Sequence, residues 1–121
     1  MNSDMEKVKK KVKSIYDVRR AQIYGVSLQY AAMALNYFQS QQPARPAGKG
    51  KFWHNQTAQA AARVFAEAHR QADTIYWFMA HGVYYGVYLE LANDRAHESI
   101  RPIVQRYAGR FIRDVKALYV D

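Results

Sequence analysis

Positions 81 and 90 of this chain hold a histidine and a glutamate, the side-chain types that most often move protons near neutral pH. A base and an acid close together could serve proton abstraction or hydrolysis. His81 and Glu90 are expected on opposite sides of a turn, so nothing in the sequence requires them to meet. A polar residue closing a strand is more often a structural hydrogen-bonder. Other chemistry finds less support. The four histidines, His54, His69, His81 and His97, include no pair at the four-residue spacing of a helix-borne metal site. There is no cysteine, which removes disulfides, thiolate catalysis and cysteine-ligated zinc. Gly82 and Gly86 lack the lysine and helix entry of a phosphate loop, and no Gly-x-Ser-x-Gly is present. No catalytic set, metal or cofactor is therefore expected.

Binding chemistry is better represented. Lys7, Lys9, Lys10, Lys11, Lys13, Arg19 and Arg20 crowd the first twenty residues, and the whole chain carries a net charge of +8. Such groups could contact phosphates, releasing counterions, or an acidic partner; a solvated helix face is the commoner case. Lys7 and Lys11 share a face with Asp4, and Lys9 and Lys13 lie on another, so the charge wraps the helix. Tyr84, Tyr85 and Tyr88 form a second group. A tyrosine buries a ring and keeps a polar end, which suits both a core and a subunit contact. A mixed role is expected, some packing inside and some facing another subunit.

The elements that must position these residues follow from periodicity. Residues 4–42 read as one long helix or two in line, with Val8, Val12, Ile15, Val26, Tyr30, Met33 and Tyr37 at spacings of three and four. Arg19 and Gly25 interrupt that stripe, which predicts a kink or a change of partner between them. Two prolines and two glycines make 43–51 a loop. A β-hairpin is expected at about 62–80, with strands near 62–70 and 74–80 and a turn at Gln71-Ala72-Asp73; the alternative is one alanine-rich helix over 57–72. Residues 84–92 suit a short helix that stops at Asn93-Asp94. Ser99 is placed to cap a last helix striped by Ile100, Val104, Tyr107, Phe111, Val115 and Leu118.

These elements give an α+β fold in one domain spanning residues 1–121: a helix that is basic and then apolar (1–42), a loop (43–51) and an α+β core (52–121). Half the residues are hydrophobic and 14% aromatic, enough for a real core. No apolar run approaches the ~20 residues of a membrane helix, and the polar opening Met1-Asn2-Ser3-Asp4 has no signal core. A soluble protein of a reducing cytoplasm, with no membrane partner, is expected.

Two stretches resemble a known family. Trp53-His54-Asn55-Gln56-Thr57 is similar to the W-x-[ND]-x-T element of small tail-component proteins of long-tailed bacteriophages, the head–tail joining, neck or tail-completion proteins. His81-Gly82-Val83-Tyr84-Tyr85-Gly86-Val87-Tyr88-Leu89-Glu90 resembles that family's H-G-[VA]-x-Y-G-x-[YF]-L-E signature. Ile100-Arg101-Pro102 matches the entry to its last helix. The resemblance spans about residues 52–118. Ala58 departs from a usual glycine, and Arg95-Ala96-His97 from a glycine-lysine-tyrosine turn. The resemblance implies an α+β, non-enzymatic virion protein, made in the host cytoplasm and assembled as a ring around the DNA channel. It implies as partners further copies of the chain, the head-closure, tail-terminator and tail-tube proteins, and DNA in the channel. Its motif residues Trp53, Asn55, Thr57, His81, Gly82, Tyr85, Gly86, Tyr88 and Glu90 become candidates for structural or subunit-interface roles. Tyr85, Tyr88 and Leu89 are expected to anchor the short helix on the sheet, with Glu90 capping or pairing with a basic group. A tail-terminator ring and a basic nucleic-acid-binding module are the alternatives.

Overall fold

The computed structural model describes residues 2–55 and 57–119, so Gln56 of the W-x-N-x-T element lies outside the described residues. The first element, α1 (Asn2–Gln41), is a single uninterrupted helix about 60 Å long. Of the two alternatives expected at residues 19–25, a kink or a change of partner, the helix shows the second: Gly25 costs helix propensity but does not interrupt α1. What changes between residues 19 and 25 is the packing. Residues 3–18 are all exposed, and burial begins beyond them.

The covered half of α1 presents small side chains at helical spacing. Ser27, Ala31 and Ala34 are buried on one face, with Tyr30 and Phe38 beside them. The Ser27 hydroxyl donates to the Ile23 carbonyl (2.9 Å), so it adds no unpaired polar atom. This shallow face lets a hairpin lie close.

The hairpin is β1 (Phe65–Gln71) and β2 (Thr74–Ala80), antiparallel, turning through Ala72 and Asp73. Its first strand begins three residues later than expected because Gln59–Ala62 closes into a helical turn, α2. The alternative of one helix over 57–72 is overturned; the alternation of buried Val64 and Ala68 with exposed Phe65, Glu67 and His69 favours strand. In register, Ala68 faces Trp77 and Ala66 faces Met79. Small residues thus sit opposite large ones on the inner face, and the large ones reach across to the helices. An isolated two-stranded hairpin is marginal in water; here both strands pack on α1.

Next come α3 (Tyr84–Leu91), a single turn at Asn93–Arg95, and α4 (Ile100–Ala117). All three residues of that turn have positive φ. Asn93 and Asp94 tolerate this best, which explains why α3 ends just before them. Helix α4 runs antiparallel to α1: Tyr107 lies edge-on to Tyr37, Phe111 edge-on to Tyr30, and Tyr119 under Arg19. Tyr30 joins three elements, with its ring against Trp77, Tyr107 and Phe111 and its hydroxyl donating to Asp114. Burial first, and the Asp114 carboxylate second, raise the Tyr30 hydroxyl above the ordinary phenol range. The fold is α+β, one layer of hairpin and one helix laid along α1.

Ala58 and Ala72 both hold positive φ (67° and 52°). A left-handed L-residue costs roughly 1–2 kcal/mol, and glycine's unfolded-state entropy takes back about half of that. Ala58→Gly and Ala72→Gly are each expected to stabilise the protein by about 0.5 kcal/mol. A rise in the urea midpoint at constant slope checks this; a fall at either position contradicts the strain assigned there.

Candidate functional site

His81 and Glu90 meet. The His81 ring Nε2 lies 2.9 Å from Glu90 Oε1, a meeting that nothing in the sequence required. The side chains are nearly sealed, 3% and 11% exposed. The same carboxylate accepts from the backbone N–H of Ser99 (3.0 and 3.1 Å), of Ile100 (3.1 Å to each oxygen) and of Arg101 (3.5 Å). The Ser99 hydroxyl adds a bond at 3.3 Å. Glu90 is therefore the N-terminal cap of α4, reaching it from another helix. Ser99 stands at the capping position but makes no side-chain cap of its own. The orphan N–H groups and the positive helix end stabilise an anion here. Burial alone would raise the Glu90 carboxyl, but the bonds from His81 and from three backbone N–H groups outweigh it, bringing it down to about 2.

His81 Nδ1 is buried with no partner among the described residues. The tautomer with the proton on Nε2 satisfies the ring, since an unpaired acceptor costs less than an unpaired donor. Two glycines make room. A Cβ on Gly86 would stand 2.6 Å from His81 Nδ1, and one on Gly82 would stand 2.5 Å from the Arg63 carbonyl oxygen. Each allows a close approach that any other residue would block.

The Trp53 element forms a second knot. Trp53 Nε1 donates to Asn55 Oδ1 (2.8 Å), and Asn55 Nδ2 donates to the Pro43 carbonyl (2.7 Å). Gln42 completes it: Oε1 accepts from the N–H of Phe52 and Trp53, and Nε2 donates to the Trp53 carbonyl and to Asn55. Nothing in the sequence marks Gln42, which looks like a frayed helix end. The only hint is the loop that must fold back beyond Pro43. Thr57 is exposed, and its hydroxyl accepts from the Gln59 N–H at 3.4 Å. The Trp53 ring also packs 6.1 Å from the His81 ring, so the two motifs meet. A cleft of about 210 Å³ between them is lined by Trp53, Asn55, Val83 and Tyr85. That falls below the ~300 Å³ where small-molecule pockets usually begin.

Trp53, Asn55, His81, Gly86 and Glu90 are thus enclosed within their own chain, where they act in its folding. The tyrosines go the other way. Leu89 is buried, but Tyr84, Tyr85 and Tyr88 are 94, 53 and 57% exposed. Tyr85 and Tyr88 stack on each other (6.0 Å) and do not anchor α3 on the sheet. Helix α3 instead packs against α2 and the turn that follows it. With Val87 and Leu91 the tyrosines form an outward apolar face.

The basic residues divide. Lys7, Lys9, Lys10, Lys11 and Lys13 are exposed. Arg20 pairs with Asp73 at the hairpin tip (3.6 Å) and donates to the Tyr16 hydroxyl. Arg19 donates to Gln22 and lies over Tyr119. These two arginines fasten α1 to the hairpin and α4, so they are not available like the lysines. A cationic cluster invisible to periodicity lies elsewhere: Lys51 Nζ donates to the Tyr37 hydroxyl (2.9 Å), holding it below the usual phenol range, and Arg106 stacks over the same ring at 4.4 Å.

Among the described residues no group of three or more His, Cys, Asp or Glu is placed to hold a metal, and no helix is long and apolar enough to cross a membrane. Comparison with family models, with curated proteins and with solved structures returned no match.

The Glu90 cap has a defined pH signature. Its carboxyl is depressed in the folded state, so its contribution is complete above the ordinary value of 4.5 and is lost as pH falls through about 2. That contribution is up to about 3 kcal/mol at neutral pH. Glu90→Gln is expected to cost about 2 kcal/mol and to flatten this acid limb in urea titrations at pH 2–6; an unchanged limb would place the acid sensitivity elsewhere. Gly86→Ala should cost about 1–3 kcal/mol by displacing the His81 ring, seen as a lowered midpoint and a shifted His81 imidazole resonance.

Proposed function

We propose that this protein is a structural component of the neck or tail of a long-tailed bacteriophage, joining head to tail as a ring of copies around the DNA channel. The observation that carries this reading is the outward face of α3. Tyr84, Tyr85, Val87, Tyr88 and Leu91 form a contiguous apolar patch on a small chain, and such patches mark contact surfaces. The resemblance of residues 52–118 to the phage family supplies the setting. The side chains of that signature which could do chemistry are occupied in folding: His81 and Glu90 hold α4, and their glycines hold the corner. That favours a protein acting by assembly rather than catalysis, in the virion after synthesis in the host cytoplasm. Its partners are then further copies of itself and the head-closure, tail-terminator and tail-tube proteins.

A second reading, a basic nucleic-acid-binding module, is favoured by the exposed lysines at 7–13 and the Lys51–Arg106 cluster. In the ring reading the same groups would face channel DNA or an acidic neighbour. One experiment separates the two. The purified protein is examined alone and mixed with tailless heads and with free tails. Rings, or incorporation at the junction, are expected. A monomer that ignores both particles and binds DNA with affinity falling steeply between low and moderate salt would replace the structural reading with the nucleic-acid one.

A further inference from the structure

Helix α1 leaves its own domain. The hairpin tip reaches it at Tyr16 and Arg20, through Asp73, and the end of α4 reaches it at Arg19, through Tyr119. Residues 2–15 extend past both, an arm of ~21 Å at 1.5 Å per residue. The arm is not uniformly polar. Met5, Val8, Val12 and Ile15 recur at spacings of three and four, so they line one face, and they are 53–61% exposed. Lys9 and Lys11 border that stripe on either side. A polar arm held only by water would have no use for such a stripe.

The same chain carries a second uncovered apolar face, on α3. It lies at the other end: Trp53 packs on Phe38 and on His81, which ties the α3 corner to the last turns of α1. About 20 residues, or ~30 Å of helix, separate Phe38 from the level of the hairpin tip at Tyr16 and Arg20. The arm points away from α3 and cannot fold back onto it.

We propose that the arm of one copy docks on the α3 face of the next, with Met5, Val8, Val12 and Ile15 packed on Tyr84, Tyr85, Tyr88 and Leu91. The inference rests on the ring reading and supplies its contact. Size agrees: three largely exposed tyrosines at ~200 Å² each give about 400 Å², and with the aliphatic residues the two faces together approach the ~1,000 Å² that a specific contact needs. Charge agrees. Helix α3 has no basic residue in its last turn, exposed Asp94 follows it, and the adjacent Arg95 is paired with Glu98 (3.7 Å), so that end attracts the lysines. Lysine beside tyrosine is also a favourable pair, used within this chain by Lys51 over Tyr37. Pairing two arms side by side would bring Lys9, Lys11 and their neighbours on one helix against those on the other, which disfavours it. The contact joins different surfaces on each copy, so it propagates head to tail and closes into a ring when the rotation allows.

The test uses two full-length variants with substitutions only at exposed positions: Val8→Asp/Val12→Asp on the arm and Tyr84→Ser/Tyr88→Ser on α3. Thermal melts check that each folds like the parent. By sedimentation velocity the parent should self-associate, and each variant alone should be a monomer, its affinity lowered at least tenfold. Mixed one to one, the variants should form a heterodimer and nothing larger, because only one arm and one α3 face remain intact. Self-association of the α3 variant at parental strength would mean that arms pair with arms and would overturn the proposal. So would a mixture that stays monomeric, a monomeric parent, or an arm variant whose only defect is binding to anionic phosphatidylserine vesicles. A parent that oligomerises and joins heads to tails while the α3 variant does the same would remove this docking and leave the neck reading standing. A parent inert towards both particles would remove the neck reading itself.

Discussion

A buried carboxylate is tolerable only if its charge is fully answered, and Glu90 meets that condition by binding the start of another helix. It sits on α3, but its partners are the first N–H groups of α4 and the ring that closes β2. One side chain thus fixes the exit of the sheet, the seat of α3 and the entry of α4. Desolvation acts against this charge, and the α4 N-terminus with His81 outweighs it. Gly82 and Gly86 follow from the same requirement, since the ring reaches the carboxylate only where neighbouring backbone can come close.

The rest of the domain is a matter of mutual support. A two-stranded hairpin and an 18-residue helix are each marginal alone. The small residues of α1 let both lie close, and Tyr30 locks them with its ring and hydroxyl. The Gln42 amide does comparable work at the far end of α1. It satisfies the backbone of a proline-rich loop that would otherwise bury unpaired N–H and carbonyl groups. Polar side chains, more than extra apolar area, define the corners of this fold.

The uncovered surfaces sit where that internal network ends. The arm begins where the hairpin tip and α4 stop, and the tyrosine face of α3 looks away from the core. A chain of 121 residues buries a modest share of its surface. Contacts between copies are a natural way to extend such a core. Docked on each other in neighbouring copies, the tyrosines and the N-terminal apolar stripe would share one purpose, which neither has within the monomer.

Local pattern alone determined the elements: the long helix from its three-and-four spacing, the hairpin from alternation and β-branched residues, the stop at Asn93-Asp94, and the α+β class. The candidate site was legible as a list of residues, because histidine, glutamate, glycine and tyrosine in one short stretch are conspicuous in any sequence. Their arrangement was not. Whether His81 faces Glu90, whether Ser99 or Glu90 caps α4, and whether Tyr85 and Tyr88 turn inward depend on how α3 is rolled against its neighbours. The absence of a kink at Gly25 depends likewise on an unbroken backbone ladder that propensity cannot weigh. Gln42 and the Lys51–Tyr37–Arg106 cluster join groups between ten and sixty-nine residues apart, a range over which periodicity carries no information. Sequence sets which segments are helix or strand because those preferences are local; the tertiary structure decides which polar groups find each other, because each buried one must have a partner and only the packed chain supplies it.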